Sequence, residues 1–172
     1  MTEDLRDCFL SKINIFKDKR GAFIKVLSNG RGHKIAQVAE IFYTTSGKNV
    51  LRGMHFQAPP FQHSKIITCI NGKSLNVAVN LMRNSKDYGK HKVFKLSAVK
   101  PTSLIVPSGF AHGFLSLENN TKLLYITTSS HAPSHDRGIH WNSFGFSWPV
   151  RKPIISKRDA GFRPLDLFCT PF

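Results

Sequence analysis

The chain has 172 residues, a length typical of one domain of about 100 to 200 residues. Hydrophobic residues make up 41% and charged residues 20%, and this composition, with 14 phenylalanines, excludes an intrinsically disordered chain. Twenty-five lysines and arginines against ten acidic residues give a net charge of +15, which favours anionic partners such as nucleic acids, acidic membrane surfaces and phosphorylated ligands.

Short apolar or alternating runs, typical of β-strands, follow one another through most of the chain. The predicted strands are AFIKVL (22–27), SKIITCI (64–70), SLNVAVNLM (74–82), KVFKLSA (92–98), SLIVP (103–107), GFLSL (113–117) and KLLYITT (122–128). Turn residues such as Ser28-Asn29-Gly30 separate them, and Asn71-Gly72 is a pair favoured in type I′ hairpins.

Helical periodicity is weak between residues 20 and 150, so we expect a predominantly β fold closed as a sandwich or a barrel. Two short peripheral helical segments are predicted. One is a turn at 83–88, and the other is a helix at 156–160, where Ser156 provides an N-cap. The stretch 129–151 is interpreted as a long ordered connection, and the final PLDLFCTPF as a trailing end. A single domain is expected over residues 1–172.

The cysteines Cys8, Cys69 and Cys169 are odd in number and form no Cys-x-x-Cys motif, so a disulfide framework is not expected. The opening MTEDLRDCFLSKINIF mixes both charges and contains no apolar run like that of a signal peptide. No run is long and apolar enough to span a bilayer. We therefore expect a soluble cytoplasmic protein.

The chain has eight histidines, which are the first candidates for chemistry. His55 follows Arg52-Gly53-Met54, interpreted as a turn, and His112 lies in GFAHGF, whose glycines are expected to bring the backbone close to a ligand. These two are the candidates for chemistry. The other six are interpreted as surface residues: His33, His63, His91, His131, His135 and His140.

Several common kinds of site are not expected. There is no His-x-His pair, and His131 and His135 lie in a proline-containing segment, so no metal site is predicted. Without a P-loop, GxGxxG or GxSxG motif, a phosphate would have to be held by arginine and lysine side chains. The basic residues are dispersed and accompany no RNA-binding or zinc-finger motif, so a dedicated nucleic-acid role is unlikely.

Eight segments, together with Lys65, show a combined pattern over residues 18–160. They are VLRGMHFQAPP (50–60), LNVAVNLMRNSKDYGK (75–90), VPSGFAHGFLSL (106–117), LLYITT (123–128), APSHDRGIHWN (132–142), FSWP (146–149), PIISKRDA (153–160) and RGAF (20–23). In order and spacing this pattern resembles the dTDP-4-dehydrorhamnose 3,5-epimerase family of nucleotide-sugar epimerases.

The resemblance implies an all-β, antiparallel jelly roll of the cupin type and a homodimer. It also implies epimerisation of a nucleotide-linked 4-keto-6-deoxy sugar without a metal or another cofactor. This chemistry is physically reasonable, because a hydrogen on the carbon beside a ketone is acidic: the carbanion spreads onto the carbonyl oxygen. Inversion then requires a base on one face of the sugar and an acid on the other.

Four residues match the family's catalytic positions. The resemblance assigns His55 as the base, Asp159 as the carboxylate that orients it, Lys65 as the cation facing the enolate oxygen, and Tyr125 as the acid. His112 matches a second histidine that contacts the sugar.

Further matches concern the rest of the ligand. Arg52 and Arg20 match phosphate-binding positions, and Phe23 a position near the base. Gln57 and His63 are expected to lie near these ligand contacts.

The chain departs from the family pattern at two places. His131 stands six residues beyond Tyr125, where the family commonly carries a tyrosine, so inversion of C3, C5 or both remains open. Where family members often show a QDN-like segment ahead of LRG, this chain reads AQVAEIFYTTSGKN, in which Gln37 or Glu40 is expected to replace the polar contacts.

Three alternatives to a double epimerase remain. A single-centre epimerase would act on a different nucleotide-linked 4-keto sugar. A non-catalytic sugar-nucleotide-binding cupin would bind the ligand without exchanging its hydrogens with solvent. A nucleic-acid-binding protein would lose affinity steeply with salt.

Overall fold

The computed structural model describes residues 4–27 and 37–172, and nearly all its regular structure is β. The strands are β1 (Phe9–Lys12), β2 (Asn14–Asp18), β3 (Gly21–Lys25), β4 (Glu40–Ser46), β5 (Leu51–Gln57), β6 (Lys65–Asn71), β7 (Lys73–Asn80), β8 (His91–Ser97), β9 (Thr102–Val106), β10 (Phe110–Ser116), β11 (Thr121–Thr127) and β12 (Asp136–Gly138). Helix α1 (Lys157–Ala160) and two 3₁₀ turns, Leu5–Asp7 and Leu165–Leu167, complete the fold. The predicted Ser28-Asn29-Gly30 turn and His33 lie outside the described residues.

Two five-stranded sheets form the body of the molecule. The first sheet has the order β1-β9-β6-β11-β4 and the second β12-β5-β10-β7-β8, with antiparallel pairing between neighbours. The hairpin β2–β3 forms a separate two-stranded sheet. This arrangement confirms the prediction of an all-β, antiparallel jelly roll.

The seven predicted strands are present with shifted ends, but the predicted hairpin at Asn71-Gly72 is wrong. Strands β6 and β7, which this pair connects, belong to different sheets. Gly72 has a positive φ of 74° and Asn71 does not, whereas a type I′ turn needs positive φ at both central residues. The pair therefore turns the chain from one sheet into the other.

Apolar side chains are buried on both faces of the second sheet. Between the sheets, the core includes Ile67, Leu104, Phe110 and Leu123. On the outer face, Val77, Val79 and other residues pack under side chains from the C-terminal third of the chain, namely Trp141, Phe144, Phe146, Trp148, Ile155, Phe168 and Phe172. This cover explains why β10 is buried along its whole length.

The C-terminal end was expected to trail, but in the structure it packs on the second sheet. Phe168 and Phe172 place their rings edge-on to Phe56, each with a centroid separation of 5.5 Å. The Thr170 hydroxyl donates a hydrogen bond of 2.5 Å to the Leu81 carbonyl oxygen. The large aromatic side chains supply enough apolar surface to hold this irregular segment in place. Earlier in the chain, Ser156 caps helix α1, as predicted.

Strand β5 contains a bulge where a turn was predicted. His55 pairs with His112 and Arg52 pairs with Phe114. An interval of three residues on β5 therefore lies opposite an interval of two residues on β10. Without the extra residue, side chains three apart on a strand would point to opposite faces. The bulge instead lets Arg52 and His55 line the same cavity.

The bulge depends on a close approach of two glycines. Gly53 has a φ of 133°, and a Cβ there would lie 2.5 Å from the Cα of Gly113. A Cβ on Gly113 would lie 3.0 Å from the Arg52 carbonyl oxygen. Within GFAHGF, Gly113 therefore allows two strands to approach each other, rather than the backbone to approach a ligand as expected.

Replacing Gly53 with alanine should destabilise the fold. The substitution adds positive-φ strain and a clash with backbone atoms, so the free energy of unfolding should fall by about 2 to 4 kcal/mol. Urea unfolding of the purified variant measures this loss. Gly47→Ala is the matched control, because a Cβ at Gly47 meets nothing closer than 3.8 Å. Equal stability of the two variants would contradict the packing described for β5 and β10.

Candidate active site

A cavity of about 720 Å³ opens between the two sheets. Its walls come from β4, β6 and β11 on one side, from β5 and β10 on the other, and from the connections beyond β5 and β11. The lining residues are Glu40, Ile41, Phe42, Thr44, Arg52, His55, Phe56, Gln57, His63, Lys65, His112, Phe114, Tyr125, Thr127, His131 and Asp136.

Most of the residues predicted for the site line this cavity. They are His55, Lys65, Tyr125, Arg52, His112, Gln57, His63 and His131. Asp159 lies behind His55 and is 4% exposed. The two remaining predictions, Arg20 and Phe23, do not line this cavity.

His55 and Asp159 form a hydrogen-bonded pair although they are 104 residues apart in the chain. His55 Nε2 lies 2.9 Å from Asp159 Oδ1, and the Gly53 amide donates to Asp159 Oδ2 at 3.0 Å. Because an ionised carboxylate only accepts, Nε2 carries the hydrogen and Nδ1 of neutral His55 keeps its lone pair. The Phe162 ring packs edge-on to the imidazole at a centroid distance of 5.8 Å.

The Asp159 carboxyl is ionised in this setting. Its burial acts to raise the pKa, but the hydrogen bond and charge of His55 and the hydrogen bond from the Gly53 amide outweigh burial and hold the pKa below its ordinary value. A buried carboxylate beside an imidazole stabilises the imidazolium that forms when His55 takes up a proton.

Lys65 is a cation that contacts the backbone of His55. Its Nζ donates a hydrogen bond of 3.1 Å to the His55 carbonyl oxygen. Burial lowers the pKa of Lys65 to about 8, against the opposing effect of the Asp136 carboxylate. The ammonium is therefore still the main form at neutral pH.

Tyr125 and His112 occupy the centre of the cavity wall. Burial raises the pKa of the Tyr125 phenol, against the opposing charge of Arg52, so the phenol keeps its proton at neutral pH. Phe42 stacks on the Tyr125 ring at 5.0 Å with an interplanar angle of 7°, and the His112 ring meets it edge-on at 6.3 Å. These contacts fix the orientation of the phenol.

His112 is a neutral side chain with a defined tautomer. Burial, with the nearby Lys65 and His55 charges, lowers its pKa well below the ordinary value. Asn76 donates through its amide nitrogen to Ser74, so its Oδ1, 3.2 Å from His112 Nε2, is the acceptor of that contact. His112 Nδ1 is consequently the acceptor nitrogen of the ring.

Arg52 is oriented by the edge strand β4. Its Nε donates to the Ser46 hydroxyl at 3.1 Å, and a terminal nitrogen donates to the Thr45 carbonyl oxygen at 3.2 Å. On the same side of the cavity, the His131 amide donates to Glu40 Oε1 at 3.0 Å. Of the two residues proposed for the segment before β5, Glu40 thus lines the cavity.

Arg20 and Phe23 lie on the β2–β3 hairpin, whose strand residues are all exposed. Phe23 is 62% exposed, and the Arg20 side chain is ion-paired with Asp18 at 2.6 Å. They line a separate surface hollow on the hairpin. Within one chain, the predicted contacts of Arg20 with the phosphate and of Phe23 with the base are therefore not part of the main cavity.

Several lining residues were missed by the sequence reasoning. Phe42 and Thr44, two residues apart on β4, line the cavity and were not predicted. Alternation in EIFYTTS was the available signal, but the apolar Ile41 and Tyr43 between and beside them obscured it. Asp136 lies in a segment that contributed to the resemblance, yet no spacing rule linked it to Lys65.

Two other findings bear on the site. Among residues 4–27 and 37–172, no three His, Cys, Asp or Glu side chains cluster in a way that could hold a metal ion. In the same part of the chain, no helix has both the length and the apolar character needed to cross a membrane.

Comparison with known proteins identifies the family. The family model described as dTDP-4-dehydrorhamnose 3,5-epimerase matches residues 2–166. The chain is 33% identical over 163 residues to the dTDP-4-dehydrorhamnose 3,5-epimerase of Shigella flexneri, covering 91% of this chain and 90% of the relative.

Solved structures agree with this match. The dTDP-4-dehydrorhamnose 3,5-epimerase of Sulfolobus tokodaii superposes with a TM-score of 0.89 at 33% identity, covering 98% of this chain and 96% of that one. ChmJ, a 3′-monoepimerase from Streptomyces bikiniensis in complex with dTDP-quinovose, superposes with a TM-score of 0.86 at 25% identity, covering 93% and 84%. With this sequence match and fold, the chain belongs to the dTDP-4-dehydrorhamnose 3,5-epimerase family.

Proposed function

We propose that the chain is an isomerase of deoxysugar biosynthesis that inverts C3, C5 or both of a dTDP-linked 4-keto-6-deoxyhexose. The observation that carries this proposal is the convergence of His55, Lys65 and Tyr125, from three strands of two facing sheets, on one cavity, with Asp159 bonded to His55. Family membership and the dTDP-sugar bound to ChmJ support the ligand class.

The base side of the reaction follows from the His55–Asp159 pair. Neutral His55 offers the Nδ1 lone pair to a hydrogen on a carbon beside the ketone. The resulting imidazolium is stabilised by the Asp159 carboxylate at 2.9 Å. Negative charge develops on the ketone oxygen, and the Lys65 ammonium, which lines the same cavity, stabilises it more strongly than it would in water.

The acid side follows from Tyr125. Because β11 and β5 belong to different sheets, the phenol and the imidazole stand on opposite walls of the cavity. A proton removed by His55 from one face of the planar enolate and returned by Tyr125 to the other inverts the carbon. No redox step is involved, so atoms and electrons balance within the substrate and these two side chains.

Removing either proton-transfer group should slow inversion of the sugar carbons, because inversion needs a base on one face and an acid on the other. For His55→Ala and Tyr125→Phe we expect kcat to fall by about 10²- to 10⁴-fold. NMR of dTDP-4-keto-6-deoxyglucose in heavy water measures the exchange, and deuterium at C3, C5 or both assigns the inverted centres.

Matched controls lie outside the cavity. His140→Ala and Tyr88→Phe change the same residue types away from the lining residues and should keep wild-type exchange rates. Binding of the sugar nucleotide by the wild type without any exchange would favour the non-catalytic cupin. Wild-type exchange rates in His55→Ala, or wild-type rates of inversion in Tyr125→Phe, would refute the assigned roles.

The Lys65 ammonium should set the alkaline limit of the reaction. With a pKa of about 8, it loses its proton as the pH rises through that value, and kcat/KM should decline about tenfold per unit above it. In Lys65→Arg the remaining activity should lack this limb, because a guanidinium does not titrate in this range. A pH profile of both proteins measures the difference, and an identical limb in both would contradict it.

A homodimer is part of the proposal, and it accounts for the position of Arg20 and Phe23. The hairpin that carries them exposes apolar residues, including Phe16 and Ile24, to solvent. Exposed apolar groups of this kind mark an interaction surface. We infer that the hairpin of one subunit reaches the cavity of the second, where Arg20 contacts the diphosphate and Phe23 the base.

Mixed dimers test this arrangement. In dimers formed from Arg20→Ala and His55→Ala chains, one cavity combines both defects and the other is intact, so an equimolar mixture should regain about a quarter of wild-type activity below KM. Co-expression of the two chains with different tags allows the measurement. A mixture of His55→Ala and Tyr125→Phe is the control and should show no rescue, because both residues line the cavity of one chain. No rescue in the first mixture would contradict the inference.

A further inference from the structure

His63 is a half-buried histidine on the cavity wall whose hydrogen-bonding capacity is only half used. Its imidazole lines the cavity, and its Nε2 atom is buried without a hydrogen-bond partner. A buried polar atom without a partner destabilises the protein, so a ligand group is its expected partner.

The neighbouring Gln57 cannot donate a hydrogen to His63. Its Oε1 accepts from the Ala132 amide at 2.8 Å, which fixes the orientation of the carboxamide. Its Nε2 then donates to the carbonyl oxygens of Phe61 at 2.6 Å and Ser130 at 3.0 Å. These two bonds use both amide hydrogens, and the longer contact of 3.4 Å to His63 Nδ1 receives none.

Ser129 fixes the tautomer of His63. The Ser129 hydroxyl donates its single hydrogen to the Phe61 carbonyl oxygen at 2.8 Å. It can therefore only accept from His63 Nδ1, which lies 3.3 Å away. Nδ1 carries the hydrogen, and Nε2 carries a lone pair.

His63 is also held in its neutral form. Burial, reinforced by the Lys65 and His131 charges, lowers its pKa to about 3. Nε2 therefore accepts a hydrogen bond throughout the neutral pH range and cannot donate one.

We propose that His63 Nε2 accepts a hydrogen bond from a ring hydroxyl of the bound sugar and so determines which sugars the cavity takes. This inference rests on the proposed function. In a 4-keto-6-deoxyhexose linked to a nucleotide through C1, only C2 and C3 carry hydroxyls. The ketone and phosphate oxygens are acceptors and do not fit an acceptor nitrogen. The proximity of His63 to Lys65 places it at the reacting end of the cavity rather than at the nucleotide.

Deoxy analogues test the proposal. Exchange of the C3 and C5 hydrogens is measured by NMR in heavy water with dTDP-4-keto-6-deoxyglucose and its 2-deoxy and 3-deoxy analogues. We expect wild-type kcat/KM to fall roughly tenfold or more for one analogue, because Nε2 is left without its partner. In His63→Phe, kcat/KM for the parent substrate should no longer exceed kcat/KM for the same analogue by this factor. His63→Gln, whose side-chain oxygen is an acceptor, should restore part of it.

Comparison on the same analogue separates His63 from intrinsic reactivity. If both parent-to-analogue ratios are the same in His63→Phe and in the wild type, the role of His63 is overturned while the proposed function stands. If the wild type exchanges none of the three sugars, the proposed function and this inference both fail.

The tautomer gives a measurement that needs no substrate and no His63 variant. In ¹⁵N-labelled protein, long-range ¹H–¹⁵N spectra distinguish the two nitrogens of a neutral imidazole. We expect Nδ1 of His63 to carry the hydrogen, and Ser129→Ala to produce a mixture of tautomers. Hydrogen on Nε2 in the wild type would overturn the proposal, because that nitrogen could no longer accept.

Discussion

The close approach of Gly53 and Gly113 is the constraint on which the site depends. A strand normally sends residues three apart to opposite faces. The extra residue of β5 at Gly53 lets the side chains of Arg52 and His55 point to the same face of the strand. The same turn of the backbone points the Gly53 amide at Asp159. One local deviation therefore orients His55, positions the Asp159 carboxylate and brings the Arg52 guanidinium to the same cavity.

Burial then sets the protonation state of each group. Desolvation alone lowers the pKa of a lysine or a histidine and raises that of a tyrosine or an aspartate. Lys65, His112 and Tyr125 follow this rule, and the latter two are neutral at physiological pH. Asp159 departs from it because His55 and a backbone amide donate to its oxygens. The site thus contains an ionised carboxylate beside the base and an uncharged acid on the opposite wall.

The sequence predicted regular features well and irregular ones poorly. Alternating strands such as KLLYITT were recognised because their period matches the pleat of a sheet. Strand β5 was missed, since Arg52-Gly53-Met54-His55 breaks the alternation where the bulge lies. No local pattern joins Asp159 to His55 across 104 residues, and only the resemblance to a family supplied that pair. The tautomer of His63 was inaccessible, because it depends on the donors of Gln57 and Ser129 in three dimensions.

The outer cover of the second sheet has a consequence for biosynthesis. The same C-terminal third of the chain that packs on Val77 and Val79 also carries Asp159. During translation, β5 leaves the ribosome long before this segment does. A chain whose synthesis stops before residue 141 lacks the Asp159 carboxylate and also leaves this apolar sheet face uncovered. Such a product therefore lacks the partner of His55 and, at the same time, exposes an apolar surface of the kind that chaperones and proteases recognise.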